Sequence, residues 1–144
     1  MNAAEILYPA FAMFALTIGC VFALGRARYR AIHNGDVKIS YFRTYDQGTQ
    51  PARLHLLARH VQNHFEIPPL FYVGVTLSYV TGGVGLPGIV CAWLFVAARF
   101  LHSWIHLGSN NVSFRFFTFG SSLVFLVGLW LTLFYRLLVS SALA

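Results

Sequence analysis

Four long apolar stretches dominate the hydrophobic pattern of this chain, and short polar or turn-forming segments separate them. They lie at residues 6–24, 59–80, 89–107 and 114–138. Each stretch is close to the roughly 20 residues that an α-helix needs to cross the hydrocarbon core of a bilayer. The pattern predicts an all-α integral membrane protein, a four-transmembrane-helix bundle in one domain over residues 1–144, with a single large loop at residues 25–58.

The composition excludes an ordinary soluble domain. Hydrophobic residues make up 58% of the chain, charged residues only 10%, and the mean hydropathy is +0.66. Cys20 and Cys91 each lie within an apolar stretch and show neither metal-like nor disulfide-like spacing. We therefore interpret both as small buried hydrophobic residues.

The net charge of +6 is concentrated between the first two predicted spans. The cations there are Arg26, Arg28, Arg30, Lys38, Arg43, Arg53 and Arg59. Because basic loops stay on the cytoplasmic side of a membrane, this loop is predicted to be cytoplasmic and both termini to lie outside. The same rule explains the excess of basic residues without a role for nucleic acid. We therefore expect membrane lipids around the protein and no nucleic-acid partner.

A polar stripe runs into the second span. Arg59, Asn63 and Glu66 are spaced by four and then three residues, which places them on one face of a helix. Pro68 and Pro69 follow at once and remove backbone donors, so a kink or a restarted helix is predicted there. Charged residues at the mouth of an apolar helix are costly, at roughly 2.5–3.5 kcal/mol each on insertion scales, and such a stripe is expected to meet a ligand or partners.

The third span carries a second polar row, Arg99, His102 and His106, again spaced by three and four residues. With a rise of ~1.5 Å per residue, Glu66 and His102 both lie ~22 Å from the turn that joins the two spans. The rows are therefore predicted to be level. With Arg115 at the start of the fourth span, they are expected to converge on one inward-facing cavity.

These residues together form a pattern that resembles a known superfamily. The elements are Arg59 before Asn63-x-x-Glu66-x-x-Pro69-Leu70-Phe71, then Ala98-Arg99-x-x-His102-x-x-x-His106-Leu107-Gly108, then Arg115, with Gly25-x-x-Arg28 as a weaker match in the first span. The combination is similar to the membrane-associated proteins in eicosanoid and glutathione metabolism, the MAPEG superfamily. The resemblance implies a homotrimer of four-helix subunits that binds glutathione at the subunit boundaries, with the site open to the cytoplasm.

The resemblance also implies roles for particular residues. Arg28 and Arg59 would meet the carboxylates of glutathione, Asn63 would hydrogen-bond it, and Glu66 would face its ammonium group. The remaining pocket residues would be Arg99, His102 and His106, and Arg115 would be the catalytic residue that stabilises the thiolate. The thiolate would then attack a lipophilic electrophile or hydroperoxide dissolved in the bilayer.

Some positions depart from the superfamily's pattern. His106 stands where relatives usually carry Tyr, Gln62 replaces a frequent basic residue, and Phe116 and Phe119 replace the Ser and Tyr of some prostaglandin-forming members. These departures favour generic conjugation or peroxide reduction over prostaglandin or leukotriene synthesis. The compact chain without an organelle-retention signal favours the bacterial inner membrane.

Other interpretations of the same residues stay open. Glu66 and Arg99 could form an intramembrane ion pair, and single polar residues could join helices without binding any ligand. The pairs His60 and His64, and His102 and His106, have the i, i+4 spacing of metal or haem ligands, but the first pair lies on a face rotated from the Arg59 stripe and we assign no metal. A non-catalytic scaffold or lipid-binding protein, with its basic loop on anionic headgroups, is the main alternative to an enzyme.

Overall fold

The computed structural model describes residues 2–45 and 49–142, and all regular structure within those ranges is helical. The elements are a short 3₁₀ turn (Ala3–Ile6), α1 (Leu7–His33), α2 (Tyr41–Thr44), α3 (Ala52–Glu66), α4 (Pro68–Val80), α5 (Leu86–Leu107) and α6 (Val112–Ala142). Three helical segments are long and apolar enough to cross a membrane: Ala3–His33, Leu86–Leu107 and Val112–Ala142. The predicted all-α membrane class is thus confirmed.

The helix breaks where the two prolines predicted it would. α3 ends at Glu66 and α4 begins at Pro68. Proline is well tolerated at this first helical position, because the N–H that it lacks would have no acceptor within the helix. Ile67 between them keeps nearly helical angles, with φ −98° and ψ −45°. The segment predicted to be the second span, residues 59–80, therefore comprises the end of α3 and the whole of α4. It is not one of the three helical segments that are long and apolar enough to cross a membrane.

Two helices extend beyond the apolar stretches that predicted them. α1 continues from residue 24 to His33, and α6 continues from residue 138 to Ala142. Hydropathy marks the part of a helix that lies in hydrocarbon, whereas backbone hydrogen bonding can continue through a basic segment. α1 ends at His33, two residues before Gly35, whose φ of +78° suits a residue without Cβ, and the Asp36 amide donates to the Ala31 carbonyl. Residues 25–58 therefore contain the end of α1, all of α2 and the start of α3.

An apolar core joins α1, α4, α5 and α6. It consists of Ile6, Met13, Phe71, Val75, Ile89, Ala92, Phe95, Val96, Leu126 and Leu129. Phe71 and Phe95 stack at its centre, with ring centroids 4.4 Å apart and an interplanar angle of 15°. At the edge of this core the Trp130 indole donates to the Leu70 carbonyl at 3.2 Å, which ties α6 to the first turn of α4.

A second, smaller cluster holds the loop against the other end of α1. Its buried members are Leu24, Ala31, Val37, Tyr41 and Leu54. Along α1, the residues between the two clusters include Thr17 and Cys20, which face a polar interior instead of an apolar one. The fold thus encloses a polar compartment between two apolar ones.

Candidate functional site

The polar compartment is formed by four histidines of α3 and α5, which we call the histidine cluster: His60, His64, His102 and His106. All four are buried, with exposed fractions of 0 to 3%. His60 lies at the centre, with its ring centroid 4.8 Å from that of His64, 4.9 Å from that of His106 and 5.9 Å from that of His102. A concentration of imidazoles this deep in a helical core offers several nitrogen donors and acceptors to a ligand.

α3 has two polar faces, and the structure buries the histidine face. His60 and His64 point into the core, whereas Arg59 and Glu66 are exposed and Asn63 is half-buried. Glu66 accepts a hydrogen bond from Gln62 on the same exposed side. Because a neutral imidazole is far cheaper to desolvate than a guanidinium or a carboxylate, the helix packs with its histidines inward.

A chain of hydrogen bonds fixes the protons on His64 and His60. The Thr17 hydroxyl donates to the Met13 carbonyl at 3.0 Å, so its oxygen is left to accept from Nδ1 of His64, also at 3.0 Å. Nε2 of His64 is then the acceptor for Nε2–H of His60, 3.2 Å away. In the neutral cluster this leaves a lone pair on Nδ1 of His60, which is buried and has no partner in the part of the chain that the structure describes.

His102 is oriented by α6. Its Nδ1 lies 3.1 Å from the carbonyl oxygen of Arg115, and since a carbonyl only accepts, Nδ1 carries the proton. Its Nε2 therefore bears a lone pair, again buried and without a partner. Nδ1 of His106 is buried and unpartnered as well. Three of the four imidazoles thus present a ring nitrogen that no described residue satisfies.

Arg99 lies in the same core and is completely buried. Its Nη2 donates to the Asn63 carbonyl at 3.2 Å, and its guanidinium lies 5.8 Å from the ring centroid of Phe119. Nε and Nη1 have no partner. The possible ion pair with Glu66 is therefore not formed within the described chain, and this cation has two free donors for an anion.

The side chains of two other predicted site residues hydrogen-bond to partners outside this core. Arg115 is half-buried at the start of α6 and donates to the Asn110 side chain at 2.8 Å. Arg28 lies at the far end of α1, donates to the Tyr45 hydroxyl at 3.2 Å and stacks over Phe42 at 5.3 Å. The fold therefore places the polar residues of α5 against the backbone carbonyls of Asn63 and Arg115. Arg28 is not part of this group.

Within the described residues of one chain the two predicted polar rows and Arg115 do not converge on a common cavity, because Arg59 and Glu66 face outward. Sequence reasoning also gave too little weight to the inward pair His60 and His64, and it treated Cys20 as a plain hydrophobic residue. Cys20 is buried with its Sγ 3.9 Å from Nε2 of His64. The i, i+4 spacing of the histidine pair was the signal that could have identified the buried face.

A groove of about 470 Å³ opens beside the cluster, between α1 and α3. Its polar lining includes Arg26, Arg30 and Arg53, with Asp36 among them, and it reaches inward to His106. The remaining wall is largely aliphatic, including Ala23, Ala27, Leu54, Leu56, Leu57 and Leu107. This groove connects the basic surface of the molecule with the histidine cluster.

The fold and the site together define an integral membrane protein with a polar, histidine-rich interior. The chain belongs to the MAPEG family, whose family model matches residues 6–135. This match covers the apolar core, the histidine cluster and Arg115, and it confirms the resemblance seen in the sequence. Neither the curated proteins nor the solved structures contain a significant match.

Proposed function

We propose that this protein is a membrane-bound glutathione-dependent transferase or peroxidase that acts on lipophilic electrophiles or hydroperoxides. Membership of the MAPEG family supports the class of reaction. The observation that carries the proposal is the outward stripe of α3, where Arg59, Asn63 and Glu66 lie unburied next to helices of membrane-spanning length. Glutathione has two carboxylates and an ammonium group, and this stripe offers a cation, an amide and an anion for them.

A charged stripe on a membrane helix is stable only if something polar covers it. We propose that a neighbouring copy of the chain provides that cover and that the protein is a homotrimer with its sites at the subunit boundaries. Arg59 and Glu66 would then face an intersubunit cavity instead of lipid. The basic loop orients this cavity toward the cytoplasm by the positive-inside rule, with the bacterial inner membrane as the proposed location.

Arg115 is the proposed catalytic residue. It is half-buried at the first turn of α6, held by Asn110, and its own carbonyl orients His102. A free cysteine thiol has a pKa of about 8.5, and a guanidinium beside it in a low-dielectric site favours the thiolate. The thiolate sulfur would attack an electrophilic carbon and form a thioether, while a leaving group departs or the attacked conjugated double bond takes up a proton. With a hydroperoxide it would attack the terminal oxygen, break the O–O bond and release the alcohol after protonation, and a second glutathione would reduce the resulting sulfenic acid to glutathione disulfide and water.

The residues after Arg115 limit the substrate. Phe116 is exposed and Phe119 lies against Arg99 and His102, so neither position offers a hydroxyl group to a polar lipid mediator. Generic apolar substrates that partition into the bilayer suit these aromatic surfaces better. We therefore propose conjugation or peroxide reduction instead of eicosanoid synthesis.

Glutathione thiolate absorbance provides a direct test. Glutathione added to the detergent-purified protein should give the ultraviolet absorbance of a thiolate, and Arg115→Ala should abolish it while the oligomeric state stays unchanged. Arg136→Ala is the matched control, because Arg136 is an exposed arginine near the other end of the same helix. If the wild-type protein binds no glutathione at millimolar concentration in an isothermal titration, the proposal is wrong.

The groove supports one alternative function. Arg26, Arg30 and Arg53 line a cavity whose other walls are aliphatic, an arrangement that suits an anionic lipid headgroup with its chains alongside. A non-catalytic lipid-binding protein would bind vesicles of anionic lipid through these arginines and would be indifferent to Glu66→Gln. A glutathione enzyme would lose glutathione affinity in Glu66→Gln, so this variant separates the two functions.

A further inference from the structure

The histidine cluster has a property that the proposed glutathione chemistry does not use. The ligand atoms of His60, His102 and His106 all lie within 4.8 Å of one another, and all three side chains are buried. Cys20, His60 and His64 form an overlapping group of the same size. The two groups share His60, so the hydrogen bonds decide which of them is available to an ion.

The hydrogen bonds favour the first group. Both ring nitrogens of His64 are engaged, one with Thr17 and the other with His60. In contrast, the buried ring nitrogens that have no partner among residues 2–45 and 49–142 are Nδ1 of His60, Nε2 of His102 and Nδ1 of His106. These three nitrogens belong to the three histidines of the first group. Leaving three such atoms unsatisfied in a core is costly unless something binds them.

We propose that His60, His102 and His106 bind a divalent first-row transition-metal ion, with Zn²⁺ as the chemical type. Three imidazoles with an open fourth position are a known arrangement for such ions. Zn–N bonds of about 2.0–2.1 Å require nitrogens about 3.3 Å apart in a tetrahedral site, so small ring movements would close the present spacing around an ion.

The surroundings of the triad have the features that a metal site needs. His102 donates its other ring N–H to the Arg115 carbonyl, and His60 donates its own to His64, which is held in turn by Thr17. Such outer partners fix the tautomer and leave the correct nitrogen free for the ion. The groove beside the cluster reaches His106, so this edge of the site connects with the surface of the molecule.

Arg99 determines the fourth ligand. A buried guanidinium repels a bare dication, and the three neutral histidines supply no negative charge. Nε and Nη1 of Arg99 are free donors in this core, one turn before His102 on α5. A small anion, hydroxide or chloride, in the fourth position would bind the ion and accept from Arg99, which removes both the repulsion and the unsatisfied donors.

Cobalt is the probe for this site, because tetrahedral Co²⁺ has strong visible d–d absorption and substitutes for Zn²⁺. The purified full chain, stripped with a chelator, should bind one Co²⁺ per chain with a tetrahedral spectrum that Zn²⁺ abolishes. No thiolate-to-cobalt charge-transfer band is expected, because Cys20 is not a ligand. Failure of the wild-type protein to bind Co²⁺ in excess overturns the proposal without reference to any variant.

Variants assign the ligands. His60→Asn and His106→Gln should each weaken Co²⁺ binding by more than the roughly 10–100-fold that loss of an outer partner costs, and Thr17→Val should fall within that range. His55→Asn is the matched control on α3, because His55 is exposed, and it should bind like wild type. If Cys20→Ser abolishes binding while His106→Gln retains it, the ion lies in the other group and the proposal is wrong.

This test is independent of glutathione. His60 has no assigned role in the glutathione site, so His60→Asn should lose the metal and keep glutathione binding. Unfolding temperature and oligomeric state of each variant show whether the chain has kept its fold. A protein that binds glutathione but no Co²⁺ contradicts only the metal site, and the reverse result contradicts only the transferase.

Discussion

The two halves of α5 bury the same face of one helix in opposite kinds of surroundings. The first half contributes Ile89, Ala92, Phe95 and Val96 to the apolar core, and the second half contributes Arg99, His102 and His106 to the polar interior. All but one of the buried side-chain nitrogens that lack a partner in the described chain belong to the histidine cluster or to Arg99. The apolar core is built for stability, whereas the polar interior retains unsatisfied groups that a ligand could use.

The largest expected effect lies in the apolar core. Phe95→Ala removes one ring of the Phe71–Phe95 stack from a position with 0% exposure, and it should lower the free energy of unfolding by about 3–5 kcal/mol. The measurement is thermal or denaturant unfolding in detergent. Phe22→Ala, at a position 73% exposed, is the control and should cost far less. Equal losses in the two variants would contradict the role of this core.

A close helix contact gives the next largest effect. A Cβ on Gly74 would lie 3.2 Å from Nε1 of Trp130 and 3.3 Å from Cδ2 of Leu129. The indole cannot move aside without weakening its bond to Leu70, so Gly74→Ala should destabilise the protein by about 1–3 kcal/mol in the same unfolding assay. Gly19→Ala should be neutral or stabilising, because nothing lies within 4 Å of its added Cβ. A stable Gly74→Ala variant would show that α4 and α6 are not packed this closely.

The indole hydrogen bond itself is worth less. Trp130→Phe removes the 3.2 Å bond to the Leu70 carbonyl but keeps most of the aromatic packing. Side-chain hydrogen bonds in membrane proteins average about 0.6 kcal/mol, and a loss of that size is expected. Trp104→Phe, at a position 81% exposed, should show no loss. A loss above about 2 kcal/mol would mean that this bond holds α4 in place on its own.

The smallest expected effect on stability comes from the histidine cluster. The double variant His60→Leu with His64→Leu removes a bonded pair and an unsatisfied nitrogen together, while the Thr17 hydroxyl keeps its bond to Met13. Replacing both partners of a buried polar pair is often neutral or stabilising. The free energy of unfolding of the metal-free double variant should therefore lie within about 1 kcal/mol of the wild-type value, or above it.

Added Co²⁺ sharpens the comparison between the two regions. It should raise the unfolding temperature of wild type, because an ion that binds only the folded state stabilises it, and it should leave the double variant unchanged. If the free energy of unfolding of the metal-free double variant falls by several kcal/mol, the histidine cluster stabilises the fold as the apolar core does. That result would contradict the difference between the two regions.

The sequence by itself determined the class of protein and most of its helices. A long apolar segment in a membrane is expected to be helical, because a helix satisfies every backbone N–H and C=O within the segment. Pro68 lacks the backbone N–H that would continue a preceding helix, so the break before it was also predictable from local chemistry. The motif from Arg59 to Arg115 was specific enough to identify the MAPEG family. The ends of α1 were not predictable, because hydropathy does not mark where backbone hydrogen bonding stops.

Only the tertiary structure decided which face of α3 is buried. That helix carries Arg59 and Glu66 on one side and His60 and His64 on another, and periodicity alone does not rank two polar faces. The ranking comes from the partners that α1 and α5 bring to the histidines: Thr17, Cys20, His102 and His106. Desolvation penalises charged groups more than neutral imidazoles, so the assembled bundle buries His60 and His64 and leaves Arg59 and Glu66 at its surface.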